Sequence, residues 1–193
     1  MPKMRSTHSG LLPRKLRAMV LDVDGTLYDQ ATLRRAMLAR LLRTYFQHPV
    51  EGFRTIRLLA AYRQAQESLR TKLSASENIA EAQVRLACER SGAQTAEMRR
   101  CVARWMESEP LDLLPRCEHP GLGEFLKEAR TGGVRLAVFS DYPAAKKLAA
   151  LGIAEFFEVT VSAQDPAERF FKPNPRGLLV AMERLKVSPA ETL

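Results

Sequence analysis

Leu21-Asp22-Val23-Asp24-Gly25-Thr26-Leu27-Tyr28-Asp29 is the stretch that decides the fold of this chain. It follows the apolar run Ala18 to Leu21 and places two carboxylates, two residues apart, before a glycine. An apolar run of this length that ends in charge and glycine predicts a buried parallel strand followed by a tight loop. Ligands bind at the carboxyl ends of strands in open α/β sheets, so this loop is the first candidate site.

Asp22 and Asp24 are the candidate chemical groups of this loop. If strand geometry continues through them, their side chains point in the same direction. Two neighbouring carboxylates repel each other unless a cation or a shared proton separates them. The pair therefore suits a Mg²⁺ site combined with a nucleophile and an acid. Because Asp and Gly are also ordinary turn residues, the pattern alone leaves a purely structural loop open.

The composition is that of a folded protein with one sizeable core, since 46% of its 193 residues are hydrophobic and 27% are charged. No apolar run approaches the ~20 residues of a membrane span, and the N-terminal stretch lacks the apolar core of a signal peptide. We therefore expect a cytoplasmic protein without membrane contacts. Cys88, Cys101 and Cys117 are odd in number and have no C-x-x-C spacing, which argues against disulfides and zinc.

The rest of the chain divides into a helical part and an α/β part. Apolar periodicity predicts four helices after the first strand: Leu33 to His48, Phe53 to Lys72, one between a possible capping box at Ser74-Ala75-Ser76-Glu77 and Gly92, and Thr95 to Glu107. It then predicts a helix Leu122 to Ala129, a strand Val134 to Phe139, a helix Pro143 to Leu151, a strand Phe156 to Val161 and a helix Pro175 to Lys186. Strands separated by helices predict a doubly wound parallel α/β sheet.

Three motifs follow apolar stretches in order along the chain. They are Asp22-Val23-Asp24-Gly25-Thr26, Phe139-Ser140-Asp141 and Lys172-Pro173-Asn174-Pro175. Together they resemble the signatures of the haloacid dehalogenase superfamily, whose usual members are Mg²⁺-dependent phosphatases. The resemblance runs from about Arg17 to Leu193 and implies a Rossmann-like sheet between helices.

The resemblance also implies a domain division. Residues 15–28 and 118–193 would form the α/β core, and residues 29–117 would form an inserted all-helical cap over the loop of Asp22 and Asp24. Residues 1–14 carry Lys and Arg but no acidic residue, and we expect them to be a flexible basic tail.

The family's reaction assigns roles to the two aspartates. Asp22 would attack a phosphate monoester to give an aspartyl-phosphate. Asp24 would protonate the leaving oxygen and later deprotonate water. The Asp22 carboxylate and the Asp24 main-chain carbonyl would bind Mg²⁺, which offsets the repulsion between a carboxylate nucleophile and a phosphate dianion.

Five further residues would bind the substrate phosphate by the same resemblance. Gly25 and Thr26 would offer backbone N–H groups, Ser140 its hydroxyl, and Lys172 a positive charge. Asp141 stands where many members have Asn, so its contribution would be a backbone N–H group. A fourth family signature, an acidic pair that adds Mg²⁺ ligands, should follow residues 188–193, and the sequence ends first. For residues 1–193 alone we therefore expect weak activity and an uncovered sheet edge at Ala18 to Leu21.

The resulting prediction is a phosphatase acting on a small organic phosphate monoester. One alternative is a non-catalytic module that binds phosphate or nucleic acid, which the net charge of +8 would favour. No nucleic-acid-binding motif supports it. Another alternative is carbon–halogen hydrolysis, which uses the same nucleophile but needs no acid for the leaving group. Asp24 therefore favours phosphate. The sequence identifies neither the ester nor the oligomeric state.

Overall fold

A parallel sheet forms the centre of the molecule in the computed structural model, which describes residues 16–70, 78–166 and 171–193. Within these ranges the strands are β1 (Ala18–Leu21), β2 (Arg135–Ser140) and β3 (Val159–Ser162), in the order β1-β2-β3. Both pairings are parallel. The carboxyl ends of β1 and β2 therefore lie at the same edge of the sheet, as the sequence predicted.

Seven α-helices accompany the strands in the described ranges. They are α1 (Gln30–Thr44), α2 (Pro49–Arg70), α3 (Ile79–Ser91), α4 (Thr95–Val102), α5 (Leu122–Thr131), α6 (Ala145–Ala150) and α7 (Arg176–Leu185). A π-helical turn, Ala103–Ser108, continues α4. None of the helices in the described ranges has the length and hydropathy needed to cross a membrane.

The sheet is covered on both faces, which confirms the doubly wound α/β fold. Alternate residues along a strand point to opposite faces. On one face, Met19, Leu136 and Val138 belong to the core cluster that contains Leu126 of α5 and Leu148 of α6. On the other face, residues of all three strands join the core cluster of α7, namely Ala18, Ala137, Phe139 and Val161 with Val180, Ala181 and Leu185.

Several predicted boundaries differ from the observed ones. The helix α1 begins before Leu33 because the Asp29 carboxylate accepts hydrogen bonds from the backbone N–H groups of Ala31 and Thr32 and caps it. The helix α2 begins at Pro49, whose fixed φ suits a first helical position.

Two other corrections concern α3 and β3. The helix α3 is capped by Asn78, while the predicted capping box at residues 74–77 lies outside the described residues, as does the predicted tail 1–14. The strand β3 begins at Val159 because Ala154–Phe156 form a 3₁₀ turn, and Phe156 and Phe157 pack against the core from there.

The last residues of the chain lie beside β1. The Val20 N–H donates to the Leu193 carbonyl at 2.9 Å, and the Leu193 N–H donates to the Ala18 carbonyl at 3.0 Å. Ala18 and Thr192 form a parallel bridge. The expectation that β1 is an uncovered sheet edge is therefore wrong for its first residues.

The helices α1 to α4 with the π-helical turn, called the helical segment here, leave and rejoin the sheet at one place. Tyr28 and Glu118 form an antiparallel bridge, and the Asp29 N–H donates to the Cys117 carbonyl at 2.8 Å. The segment has its own core, in which Leu58 and Tyr62 of α2 meet residues of α3 and α4. Its division from the α/β part at residues 28/29 and 117/118 stays a prediction.

The three cysteines are free thiols. Burial raises the pKa of Cys101 to about 11, and burial also raises the pKa of Cys117. A thiol with such a pKa is protonated near neutral pH and is a poor nucleophile.

Replacing Gly177 by alanine is expected to destabilise the fold by about 1–3 kcal/mol, the usual cost of overpacking a core. A Cβ at Gly177, the second residue of α7, would overlap the ring of Phe139, which is 2% exposed and cannot move aside. Gly123, the second residue of α5, is the matched control because a Cβ there meets nothing within 4 Å. Urea unfolding of Gly177→Ala and Gly123→Ala measures both effects, and equal midpoints would contradict this prediction.

Candidate active site

The loop after β1 holds Asp22 and Asp24 at the sheet edge. The N–H groups of Thr26 and Leu27 both donate to the Val23 carbonyl, at 3.3 and 3.1 Å, and close a tight turn. Gly25 has a φ of +93°, which side chains with a Cβ rarely adopt. Val23 and Leu27 are buried and anchor the turn in the core. These two residues therefore fix the loop, and Asp22 and Asp24 remain partly exposed.

Asp22, in the first motif, is paired with Lys172, in the third. The Lys172 ammonium lies 2.5 Å from Asp22 Oδ1 and also donates to the Phe139 carbonyl at 2.7 Å. It sits 4.9 Å from the centre of the Phe139 ring. The Asp22 side chain is 41% exposed, and its Oδ2 accepts no hydrogen bond within the described part of the chain. One carboxylate oxygen is thus held by a cation and the other is accessible.

Asp24 is held by two donors that the sequence analysis did not identify. The Tyr28 hydroxyl and the Lys147 ammonium both donate to Asp24 Oδ1, the latter at 2.5 Å. Burial, followed by the charge of Asp24, raises the pKa of Tyr28 well above its ordinary value, so the phenol stays protonated and remains a donor. Both donors contact the same oxygen, which leaves Oδ2 without a hydrogen bond from any described residue.

Lys147 gave no signal in the sequence. It is one of two adjacent lysines on α6, and nothing local distinguishes it from Lys146. In the structure its side chain is only 13% exposed, whereas Lys146 is an exposed residue. Tyr28, by contrast, is only four residues from Asp24, so its hydrogen bond to Asp24 is a short-range contact in the sequence.

Asp141 lies at the site, but its carboxylate is occupied by the protein. Gln66 and Arg70 of α2 donate to its Oδ2, at 3.0 and 2.5 Å, and the backbone N–H of Lys172 donates to its Oδ1 at 3.0 Å. Arg70 offsets the negative charge that Asp141 brings to the site. Asp141 thereby joins the helical segment to the Lys172 loop, and phosphate binding by its backbone stays a prediction.

The other predicted phosphate ligands do not line the site's cavity. Ser140 is fully buried, and its hydroxyl accepts from the Tyr142 N–H at 3.2 Å. Gly25 and Thr26 are exposed on the loop. The structure brings Asp22, Asp24, Asp141 and Lys172 to one cavity, while the phosphate-binding roles of Gly25, Thr26 and Ser140 stay predictions.

This cavity has a volume of about 650 Å³ and lies between the sheet edge and the helical segment. Its volume is within the range of ligand pockets, roughly 300–1,000 Å³. Asp22, Asp24, Lys147 and Lys172 line it together with side chains of α1, α2 and the π-helical turn. The reactive groups therefore face a cavity that could hold a ligand.

The donor set for a metal is sparse. Within the described ranges no three His, Cys, Asp or Glu side chains are grouped as a metal site would require. Asp22 nevertheless offers a carboxylate oxygen to which no residue of the described ranges donates, and carboxylate oxygens are ligands that Mg²⁺ prefers. Mg²⁺ often uses one or two carboxylates and takes its other ligands from water and phosphate. The residues present therefore fit Mg²⁺ in that mode.

Comparison with known proteins bears on these observations. A sequence model of the haloacid dehalogenase-like hydrolase family matches residues 16–193. The structure of a dehalogenase aligns with a TM-score of 0.57 at 21% identity, over 94% of this chain and 76% of the dehalogenase chain. An L-2-haloacid dehalogenase aligns with a TM-score of 0.56 at 20% identity, over 92% of this chain and 76% of the dehalogenase. A predicted phosphoglycolate phosphatase from Haemophilus somnus 129pt aligns with a TM-score of 0.53 at 17% identity, over 92% of this chain and 75% of the phosphatase.

At these identities the structural likeness shows the fold alone. The comparison with curated proteins gives no match. The family match, by contrast, covers all of the described residues. It also agrees with the three motifs, whose aspartates and lysine meet at one sheet edge. The chain therefore belongs to the haloacid dehalogenase-like hydrolases.

Proposed function

We propose that this protein is a Mg²⁺-dependent phosphatase that hydrolyses a phosphate monoester through an aspartyl-phosphate. The observation that carries this proposal is the second carboxylate: Asp24 is fixed at one oxygen by Tyr28 and Lys147, and it lines the same cavity as Asp22. A halide leaves without a proton, whereas an alkoxide needs one. A positioned acid beside the nucleophile therefore supports an ester substrate rather than a haloacid.

In the first step, an oxygen of Asp22 attacks phosphorus and the bond between phosphorus and the ester oxygen breaks. Asp24 gives its proton to the departing oxygen, so an alcohol leaves and Asp22 carries the phosphoryl group. Lys172 stabilises the negative charge that gathers on the phosphoryl oxygens. Mg²⁺ bound by the Asp22 carboxylate and the Asp24 carbonyl would lower the repulsion between the two anions.

In the second step, water attacks the phosphorus of the aspartyl-phosphate. Asp24, now a carboxylate, takes a proton from that water while the bond from phosphorus to the Asp22 oxygen breaks. The step releases inorganic phosphate and restores both aspartates to their starting states. We also propose that the helical segment acts as a cap, since α1 and α2 line the cavity together with the aspartates.

Release of inorganic phosphate from a panel of phosphate monoesters, with and without Mg²⁺, tests this function. We expect release that depends on Mg²⁺ and that yields one alcohol per phosphate. The same samples are given 2-chloropropionate, and chloride is measured. Chloride release without phosphate release would overturn the proposal in favour of haloacid hydrolysis, and release of neither would overturn it altogether.

Lys147→Met is expected to lower kcat/KM for phosphate release by about 10- to 100-fold, because it removes a charge-assisted hydrogen bond that orients Asp24. Lys146→Met is the matched control, since its side chain is exposed on the same helix. We expect that control to stay within about twofold of the parent enzyme, as substitutions away from a site usually do. Equal losses in both variants would contradict a role for Lys147 at the site.

A further inference from the structure

We infer that the substrate is a phosphate ester of an apolar alcohol. This inference rests on the proposed phosphatase function and adds the chemistry of the leaving group. It follows from how polar and apolar side chains are distributed around the cavity. The phosphate end and the alcohol end of a monoester would meet opposite environments there.

The reactive end of the cavity is charged. Asp22 and Asp24 lie there with Lys172 and Lys147, which are tied to them by hydrogen bonds. A phosphoryl group at this end would meet two ammonium groups and the nucleophile. The alcohol part of the ester must therefore extend away from the sheet edge, towards the helical segment.

The helical segment presents mainly apolar side chains to that space. Leu33, Met37 and Leu41 of α1, Ile56 and Leu59 of α2, and Met106 of the π-helical turn line the cavity. These side chains offer no donors and no strong acceptors. The hydroxyl groups of a sugar would leave water without replacing its hydrogen bonds, which is unfavourable. An alkyl or cyclic hydrocarbon chain would be favoured by the same surface.

Arg63 of α2 lines the cavity with Gln30 and Arg34 of α1, whereas Gln66 and Arg70 of α2 are already engaged by protein groups. Gln66 donates to Asp141, and its carbonyl oxygen accepts from the Tyr142 hydroxyl. Arg70 donates to both Glu67 and Asp141. These groups thus have partners before a ligand arrives, and they would bind added hydroxyl groups only by giving those partners up.

The cavity also opens along apolar side chains. Leu38 and Ile56, both in the lining, are 52% and 41% exposed. A hydrocarbon chain reaching this opening would remove their surface from water. Burial of one CH₂ group is worth about a fourfold change in an equilibrium constant. The alcohol chain length should therefore control kcat/KM.

A series of n-alkyl phosphates from methyl to hexyl tests the inference, because the leaving alcohols have nearly equal intrinsic reactivity. With Mg²⁺ present, kcat/KM should rise by about fourfold for each added CH₂ until the cavity is filled. Glycerol phosphate, which carries hydroxyl groups on a short chain, should be poorer than butyl phosphate by about 10-fold or more.

Two variants test whether the lining causes the trend. Leu38→Gln and Ile56→Gln should each lower the ratio of hexyl to methyl phosphate kcat/KM by about fivefold or more. Leu42→Gln is the matched control: Leu42 lies one turn from Leu38 on α1, is 58% exposed and is not in the lining. It should leave this ratio unchanged.

The outcomes separate the two proposals. Phosphate release that is flat or falls with chain length, or that favours glycerol phosphate, overturns the apolar leaving group and leaves the phosphatase function standing. An equal effect of Leu42→Gln and Leu38→Gln on the ratio also overturns the inference. If no ester releases phosphate, the proposed phosphatase function itself is overturned.

Discussion

Asp22→Asn is expected to abolish phosphate release, with kcat falling by at least about 10⁴-fold, as enzymes that lose their nucleophile do. An amide oxygen carries no full charge and cannot form the aspartyl-phosphate. The fold should persist, because the Asp22 side chain is 41% exposed and loses only its contact with Lys172. Initial rates with Mg²⁺ and a saturating ester measure the effect, and thermal melting checks folding.

Acid quenching of the parent enzyme during turnover adds a direct observation. A phosphoryl group should be found by mass spectrometry on the peptide that contains Asp22, and it should be absent in Asp22→Asn. Asp112→Asn serves as the control for an Asp-to-Asn change outside the three motifs. The Asp112 side chain is 65% exposed and pairs with Arg40. More than a tenth of the parent rate in Asp22→Asn would rule out this nucleophile.

Asp24→Asn is expected to lower kcat/KM by about 10²- to 10⁴-fold, the usual contribution of a positioned acid. An asparagine oxygen can still accept from Lys147 and Tyr28, so the loop should keep its conformation. The lost function is the proton for the leaving oxygen. The deficit should therefore be large for alkyl phosphates and smaller for p-nitrophenyl phosphate, whose leaving group needs no proton.

The comparison of the two esters separates chemistry from structure. If Asp24→Asn merely disturbed the loop, alkyl and p-nitrophenyl phosphates would lose kcat/KM by the same factor. That outcome would remove the acid role of Asp24. It would also weaken the argument for an ester rather than a haloacid, because that argument depends on a positioned acid.

The sequence predicted the sheet and the location of the site from short-range patterns. An apolar run followed by Asp22 and Asp24 specified a buried strand with charge at its carboxyl end, and the runs before Ser140 and Val161 specified two more strands. Parallel pairing then required these ends to share one edge. Boundaries were less certain, as at Phe156, because an apolar residue satisfies the core equally well in a strand or in a turn.

Contacts over long sequence separations were decided by the tertiary structure. Lys147 is 123 residues from Asp24, and no periodicity distinguishes it from Lys146. Arg70 and Asp141 are 71 residues apart in the sequence. Only the packing of α2 on the sheet edge brings the Arg70 guanidinium to the Asp141 carboxylate and so accounts for an Asp at position 141. The apolar lining of the cavity likewise exists only once α1 and α2 face the aspartates.

By itself, the sequence determined the α/β class, the nucleophile candidate Asp22 and Lys172 as a candidate site residue. Those features follow from local hydrophobicity and from the order of motifs along the chain. The tertiary structure decided which donors hold Asp24, what occupies the Asp141 carboxylate and how polar the cavity is. Such features depend on side chains that converge from separate helices, and their approach is set by core packing rather than by local pattern.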